Sequence, residues 1–238
     1  MIGRIDVHSH LLPDVDDGCR TIEESIECAR RIVARGYTHI FCTPHLIPTM
    51  PNHMSSVVMN VAALQQALTR AGVNVTLIPG GEINIQAMWP ALREMNPAEI
   101  PTFNNARRYA LIDFWADTLP PGFADAVQYL QSLGLTVIMA HPERIAAFQN
   151  DPHVWKEVAD LGCRFQGNFQ CFSDPPGSAP RELVEKHARD GTYWLMGTDT
   201  HWPETLDVRL DGLTTAISVL GEALVDRLTR ENPRELMA

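Results

Sequence analysis

The chain of 238 residues carries a formal net charge of −10, and 45% of its residues are hydrophobic while 20% are charged. This balance is ordinary for a globular protein, and the length allows one barrel or two small domains. Basic residues are not clustered, which argues against a nucleic-acid-binding protein, and no apolar run approaches the roughly 18 residues that a membrane-spanning helix needs.

Short apolar segments that alternate with helical patterns predict the strands of a parallel sheet. Their hydrophobic residues are nearly continuous, as in strands that are buried on both faces. In chain order the predicted strands are Arg4–His8, His39–Thr43, Val75–Gly80, Tyr109–Phe114, Thr136–Ala140, Arg164–Gly167 and Tyr193–Gly197.

The helical segments lie between these strands. The first has Thr21 as its N-cap and Glu24 three positions later, the capping-box pattern, and Gly36 follows it. The later helices are predicted over Val57–Arg70, Phe123–Leu133, His153–Leu161, Pro180–Arg189 and Leu210–Thr229.

This repeated strand–helix order predicts right-handed βα units in one α/β domain that spans residues 1–238. Seven strands suit either a distorted seven-stranded (β/α)7 TIM-like barrel or an open doubly wound sheet. No GxGxxG or Walker sequence follows any strand, which disfavours the nucleotide-binding versions of the open sheet.

Metal-capable side chains occur at or just after the ends of six of the seven predicted strands. In a barrel the C-terminal strand ends converge on the face where active sites are built. The candidate ligands are His8, His10, His45, Glu82, Asp113, His141, Asp199 and His201. Imidazoles and carboxylates without cysteine suit manganese, iron, zinc or cobalt, and so many ligands predict two or three ions.

The His-x-His spacing has its own geometric reason. Residues i and i+2 of a strand point to the same side, so His8 and His10 can bind one ion while Ser9 points away. Asp199 and His201 share this spacing and can reach different ions. The remaining histidines, which we interpret as structural or solvated, are His39, His53, His153 and His187.

These motifs resemble the PHP (polymerase and histidinol phosphatase) family of metal-dependent phosphoesterases. The similarity is greatest to its bacterial capsule and exopolysaccharide branch, the manganese-dependent protein-tyrosine phosphatases. The motifs that carry the resemblance are Asp6-Val7-His8-Ser9-His10, Asp14-Val15-Asp16-Asp17-Gly18, Thr43-Pro44-His45, Gly81-Glu82, Ala140-His141-Pro142-Glu143-Arg144 and Thr198-Asp199-Thr200-His201.

The resemblance implies the distorted barrel and a trinuclear site. It implies one ion near His8, His10 and Asp199. It implies a second ion near Asp113 and His141, with Glu82 bridging, and a third near Asp17, His45 and His201. Asp17 is a candidate only through the resemblance, because its own surroundings in the sequence predict a polar turn.

The fourth strand departs from the pattern of this branch. The branch usually has a glutamate where this chain has Asp113, whose side chain is one methylene shorter. The second ion must therefore shift, or a water molecule must fill the gap.

Two arginines follow the candidate ligands. Arg144, three residues after His141, is predicted to hold phosphate oxygens through its bidentate fork, and the alternative is a surface ion pair. Arg209 lies beyond His201 and is a second candidate for substrate binding.

The five cysteines argue against cysteine-based catalysis. None is followed six residues later by arginine, so the chain has no Cys-x5-Arg phosphatase loop. Their odd number and the lack of a Cys-x-x-Cys pair predict buried free thiols in a reducing cytoplasm. The N-terminal residues show no secretory signal.

The sequence therefore predicts a phosphoesterase in which metal-activated hydroxide hydrolyses a phosphomonoester. By resemblance it is a protein-tyrosine phosphatase of capsule or exopolysaccharide synthesis, and its substrate is a phosphotyrosine protein such as a capsule-assembly tyrosine kinase. The alternatives are a small-molecule phosphatase of the histidinol-phosphate type and a non-catalytic metal-binding PHP module. A C–N hydrolase of the amidohydrolase type is disfavoured, because neither Lys156 nor Lys186 lies at a strand end.

Overall fold

The computed structural model describes residues 2–238, which form a mixed α/β fold with mostly parallel strands. The strands of this part of the chain are β1 (Arg4–Asp6), β2 (Tyr37–Cys42), β3 (His45–Ile47), β4 (Met50–Pro51), β5 (Thr76–Pro79), β6 (Glu82–Asn84), β7 (Tyr109–Asp113), β8 (Thr136–Ala140), β9 (Arg164–Asn168) and β10 (Tyr193–Gly197).

The α-helices of the same residues alternate with these strands. They are α1 (Ile22–Ala34), α2 (Met54–Arg70), α3 (Ile85–Met88), α4 (Phe123–Ser132), α5 (Ala146–Asn150), α6 (His153–Asp160), α7 (Ala179–Arg189), α8 (Pro203–Leu220) and α9 (Glu222–Asp226). None of the helices in residues 2–238 is long and apolar enough to cross a membrane.

The strands hydrogen-bond in two sheets. One sheet has the order β1-β2-β5, and the other has the order β10-β9-β8-β7-β6-β3-β4. All pairs are parallel except the short pair β3–β4. A single isolated bridge pairs Ser9 with Thr200, just beyond the ends of β1 and β10. The predicted parallel α/β arrangement is therefore confirmed. The predicted closed barrel is not confirmed, because the strands form two sheets.

All seven predicted strands are present, with end points that shift by up to two residues. The short strands β3 and β6, which carry His45 and Glu82, are additions that the sequence did not predict. The prediction of one helix over Leu210–Thr229 is wrong at both ends. The helix begins at Pro203 and is interrupted at Gly221, where φ is 85°.

The predicted cap of the first helix is present. Oγ1 of Thr21 accepts a hydrogen bond from the backbone N–H of Glu24 at 3.2 Å. The Glu24 carboxylate accepts from the backbone N–H of Arg20 rather than from Thr21. The capping satisfies N–H groups that the first turn of a helix leaves unpaired.

A cluster of buried apolar side chains draws members from both sheets. It includes Ile5 and Val7 from the first strand region, Phe41 from β2 and Leu111 from β7. Leu111 precedes the candidate ligand Asp113 by two positions in the same strand, so both side chains point to the same side. The apolar cluster therefore lies next to the candidate metal centre, toward the N-terminal ends of the strands.

Candidate metal centre

The structure brings all the sequence-predicted ligands together on one side of the sheets. Most lie at or just beyond the C-terminal end of a strand, whereas His45 and Glu82 follow β2 and β5 and begin the short strands β3 and β6. A cavity of about 210 Å³ is lined by Asp17, His45, Glu82, Asp113, Trp115, His141, Arg144, Ile145, Asp199 and His201. His8 and His10 lie beneath this surface and are fully buried. Because parallel strands end at one face, residues far apart in sequence meet here.

Four groups of ligand atoms lie close enough together to hold a cation. Their members are His10, Asp17, His45 and His201; His8, His141 and Asp199; His8, His10 and Glu82; and His45, Glu82 and Asp113. Asp113 is thus grouped with His45, whereas the resemblance paired it with His141. Asp17, which entered only through the resemblance, lies 3.6 Å from both His45 Nε2 and His201 Nε2.

The rings of His8 and His10 point at one small volume. Their Nε2 atoms lie 3.2 Å apart. His8 Nε2 also lies 3.2 Å from Glu82 Oε2, and His10 Nε2 lies 3.2 Å from Asp199 Oδ1. Ligand atoms of a tetrahedral ion with bonds of 2.0–2.1 Å are about 3.3 Å apart, so this spacing fits a shared cation.

Two side chains that the sequence reasoning missed fix the orientation of these rings. Asp16 Oδ2 accepts from Nδ1 of His10 at 2.7 Å, and Gln166 Oε1 accepts from Nδ1 of His8 at 2.8 Å. Each neutral ring therefore carries its proton on Nδ1 and presents the lone pair of Nε2 to the centre. Asp16 lies in the Asp14–Gly18 motif that carries the resemblance, whereas no metal role is predicted for the strand end at Gln166.

The Asp14–Gly18 loop is held tightly against the site. Asp16 accepts hydrogen bonds from the backbone N–H groups of Gly18 and His45, each at 3.0 Å. A Cβ atom at Gly18 would lie 2.1 Å from the carbonyl oxygen of His10, so only glycine fits. The loop therefore brings Asp17 close to the imidazoles.

Several buried polar atoms at the centre have no hydrogen-bond partner. They are Glu82 Oε2, both carboxylate oxygens of Asp113, Nδ1 of His45 and Nδ1 of His141. Buried polar atoms are almost always paired, and unpaired ones are costly. These atoms are suitable ligands for divalent ions, so the chemistry of the donor set fits metal binding.

Crowding of buried acids and imidazoles shifts the pKa values of several candidate ligands far from their ordinary values. Burial, and after it the charge of Glu82, raises the pKa of Asp113 to about 8. Burial is the largest single influence on the pKa of His45 and lowers it, but the charge of Glu82, its hydrogen bond and the charge of Asp113 together raise this pKa to about 9. Burial and the charge of His10 lower the pKa of His201 to about 4. Protons on Asp113 and His45 thus take the place that cations would fill.

Two candidate ligands have unusual backbone conformations. His141 has a φ of 29° and Asp199 a φ of 53°, both in the left-handed region. Strained residues of this kind cluster at functional sites because the surrounding fold must hold them. The backbone N–H of His141 donates to Gln166 and that of Asp199 donates to His8, so neighbouring strands hold both ligands in place.

The two arginines have different surroundings. Arg144 lines the cavity, is exposed, and donates through Nη1 to the carboxylate of Asp199, a candidate ligand that lies in no helix. Arg209 is buried, and its Nε donates to the backbone oxygen of Asp199 at 2.6 Å. Arg209 lines a neighbouring cavity rather than the central one. The hydrogen bond from Arg209 to Asp199 stabilises the segment that carries Asp199 and His201.

The four remaining histidines lie outside the ligand groups. His39 is in β2, His53 precedes α2 and His153 begins α6. His187 stacks on Trp155 with 3.6 Å between the ring centroids. These positions agree with a structural or solvated interpretation.

A family described as "Capsular polysaccharide synthesis, CpsB/CapC" matches residues 4–238. The chain is 27% identical to the tyrosine-protein phosphatase CpsB of Streptococcus agalactiae and 28% identical to that of Streptococcus pneumoniae. In both cases, the alignment covers 98% of this chain and 98% of the relative. A solved structure from work on YwqE of Bacillus subtilis and CpsB of S. pneumoniae, described as metal-dependent tyrosine phosphatases, superposes with a TM-score of 0.85. It is 25% identical and covers 98% of this chain and 94% of that one.

Proposed function

The chain belongs to the CpsB/CapC family of capsular polysaccharide synthesis proteins, and from this membership we propose that it is a metal-dependent protein-tyrosine phosphatase. The expected branch of the PHP-like phosphoesterases is confirmed by this family match. The proposed substrate is a phosphotyrosine protein, and a tyrosine kinase of capsule assembly is the proposed partner. Two of the most similar relatives carry the name tyrosine-protein phosphatase, which supports this choice.

The observation that carries the proposal is the convergence of nine candidate ligands on one cavity that also contains an arginine. We propose two to three divalent ions, with manganese before iron, zinc or cobalt. When bound, such ions lower the pKa of a coordinated water toward ~7 and neutralise the charge of a phosphate group. The ligands we propose are His8, His10, Asp17, His45, Glu82, Asp113, His141, Asp199 and His201.

The side chains of the protein supply positioning and charge. Arg144 is the one guanidinium among the residues that line the cavity, and its fork is suited to two phosphate oxygens. Its contact with Asp199 fixes the guanidinium beside the ligand groups before substrate enters. We propose that Arg144 holds the phosphate and that Arg209 keeps the Asp199–His201 segment in place.

The phenolate leaving group of a phosphotyrosine needs little protonation by the site. Tyrosine has a pKa of about 10, so the phenolate departs with less protonation than an aliphatic alcohol requires. No strong general acid is therefore needed.

We also propose that the two sheets are parts of one distorted seven-stranded barrel in a single domain. Only two residues separate β2 from β3, and only two separate β5 from β6. Across these two connections, the backbone N–H of Gly80 donates to the carbonyl oxygen of Cys42, and that of Glu82 donates to the carbonyl oxygen of Pro44. The shared apolar cluster and the Ser9–Thr200 bridge support this view. All five cysteines are free, which supports a reducing cytoplasm.

The test uses protein that has been treated with a chelator and then given manganese. Turnover of para-nitrophenyl phosphate, a phosphotyrosine peptide and histidinol phosphate is compared at equal concentrations. We expect activity only after manganese is added, with preference for the peptide.

The other outcomes separate the alternatives. Preference for histidinol phosphate would support the small-molecule phosphatase. Activity on none of the substrates, with metal retained by the protein, would support the non-catalytic module. A metal count per chain from elemental analysis of the same samples shows whether two or three ions are bound.

A further inference from the structure

We propose that Trp115 is the specificity-determining residue that contacts the aromatic ring of a phosphotyrosine substrate beside the metal centre. The inference rests on the proposed function, since it names the side chain that selects the leaving group of the same reaction. Trp115 is not itself a candidate metal ligand, and the inference concerns the part of the substrate beyond the phosphate.

The composition of the cavity leads to this side chain. Of the ten residues that line it, eight are charged or histidine, and only Trp115 and Ile145 are apolar. A centre that bound only phosphate would need no apolar wall. The ions and the phosphate would occupy the ligand-lined part of the cavity of about 210 Å³, so the aromatic ring would lie at its apolar edge, beside Trp115 and Ile145.

The backbone places the indole at the edge of the site. Phe114 is fully buried and contacts Phe123 and Phe148, which anchors the chain where β7 ends. Trp115 is the next residue and lies two positions after Asp113, on the cavity side. Its backbone N–H donates to the Gln86 side chain at 3.2 Å, which holds the segment in place.

The indole of Trp115 is largely exposed to solvent although it is apolar. The side chain is 59% exposed, and among the exposed large hydrophobic residues of the described chain it is the one aromatic residue. Its ring stands at 89° to the ring of His45 with 5.6 Å between centroids. Such a perpendicular contact covers at most one face of the indole, so the other face can contact a second ring. An exposed tryptophan beside convergent polar groups is typical of a binding site.

A second cavity shares Trp115, Arg144 and Ile145 with the first and is also lined by Ala116 and Ala146. A substrate whose phosphate is held at Arg144 would thus have its ring next to Trp115. Its peptide chain would leave through the second cavity.

Trp202 provides a matched comparison. Its ring stands at 87° to His201 with 5.6 Å between centroids, nearly the same relation that Trp115 has to His45. Trp202 lines a neighbouring cavity but not the central one. We therefore expect ring selectivity to depend on Trp115 and not on Trp202.

The experiment measures a ratio. Trp115→Ala, Trp115→Phe and Trp202→Ala are compared with the wild-type chain, all loaded with manganese. Two versions of one peptide are used, with phosphotyrosine or phosphoserine at the same position. The ratio is kcat/KM for the phosphotyrosine peptide divided by kcat/KM for the phosphoserine peptide. Aromatic contacts contribute enough for a roughly three- to tenfold effect. We expect Trp115→Ala to lower the ratio by at least about threefold through KM, and Trp115→Phe to keep most of it.

A binding measurement tests the contact without turnover. Benzylphosphonate and ethylphosphonate are titrated calorimetrically into the same four proteins. We expect the preference for benzylphosphonate to fall in Trp115→Ala and to persist in Trp202→Ala. If the wild-type chain hydrolyses neither peptide, the proposed function fails and the phosphonate ratio alone decides the role of Trp115. An unchanged ratio in Trp115→Ala, in turnover or in binding, overturns the inference.

Discussion

Asp16 Oδ2 lies 2.7 Å from Nδ1 of His10, and both side chains are fully buried. The carboxylate accepts a hydrogen bond from Nδ1, so in the neutral ring that a metal ligand requires, Nε2 of His10 faces Glu82 and Asp199 with its lone pair. The charge of Asp16, together with the hydrogen bond, raises the pKa of His10 well above its ordinary value although burial alone would lower it. In a metal site such a carboxylate orients the ligand and increases its basicity.

Asp16→Asn removes this charge and keeps the size of the side chain. We expect metal affinity to fall by about 10- to 100-fold, the effect typical of residues behind a ligand. The measurement is a competition titration of manganese against a chelator. Asp14→Asn is the control, because Asp14 is exposed in the same loop and asparagine tolerates its φ of 58°. Equal affinity in both variants would contradict the role of Asp16.

Asp113 is the residue that departs from the capsule branch, and both of its carboxylate oxygens lack a partner. Asp113→Asn removes the charge that a cation would balance, so we expect fewer bound ions per chain. Asp113→Glu restores the longer side chain, and we expect its metal content to equal or exceed that of the wild type. Elemental analysis after gel filtration gives both values. If neither substitution changes the metal content, Asp113 is not a ligand.

Arg144→Ala tests the phosphate-binding proposal. Loss of a positioned donor at a developing charge typically costs about 10²- to 10³-fold, and we expect at least a 100-fold loss of kcat/KM. Arg144→Lys keeps the charge but not the fork, so it should recover only part of the activity. Arg70→Ala, at the exposed end of α2, is the control for loss of an arginine. Activity of Arg144→Ala near that of the control would remove Arg144 from the proposed mechanism.

His45→Ala tests the group of ligands that includes Asp17 and His201. We expect turnover to fall by more than about 100-fold, because an ion in this group would lose one of its ligands. His45 is the buried first residue of β3, but its ring faces the cavity rather than the apolar core, so unfolding by heat should change little. His53→Ala, just before α2, is the matched control. Loss of folding in His45→Ala would show instead that the ring has a structural role.

His187 gives a pH dependence that is separate from the metal centre. Burial, and after it the charge of Lys186, lowers its pKa to about 4, and its ring stacks on Trp155. The unfolded chain binds this proton near pH 6.5, so the contribution to stability is complete above pH 6.5 and is lost as the pH falls toward 4.

His187→Phe keeps a ring and removes the titration. We expect the free energy of unfolding of the wild type to fall between pH 7 and pH 5 by about 1–2 kcal/mol more than that of the variant. Urea titrations of chelator-treated protein at the two pH values provide the measurement. His153→Gln, an exposed histidine at the start of α6, should behave like the wild type. Parallel curves for all three proteins would refute the assignment.

Much of the fold and of the candidate site was predictable from local patterns. Continuous apolar runs predicted seven strands, and the residues at or just after their ends included His8, Glu82 and His141, which the structure brings together. The reason is that parallel strands end at one face, so a position along a strand determines which face a side chain reaches. The role of these residues as metal ligands stays a prediction.

The long C-terminal helix shows where local patterns failed. Its apolar positions continue across Gly221, yet the chain turns there with a positive φ that glycine alone adopts easily. The start at Pro203 was missed, although proline is common in the first turn of a helix and Leu206, Leu210 and Leu213 already repeat at helical spacing.

The partners of the ligands were decided by the tertiary structure. His8 and Gln166 are 158 positions apart, and their hydrogen bond exists because their strands end side by side. The same holds for Arg144 with Asp199, and for Trp115, whose exposure beside His45 depends on how the neighbouring Phe114 is buried. Strand and helix periodicity depends on neighbours in the sequence, whereas a hydrogen bond or a ring contact depends on distance in space. The sequence alone therefore indicated most of the candidate ligands that reach the site, and the folded chain determined which side chains hold them in place.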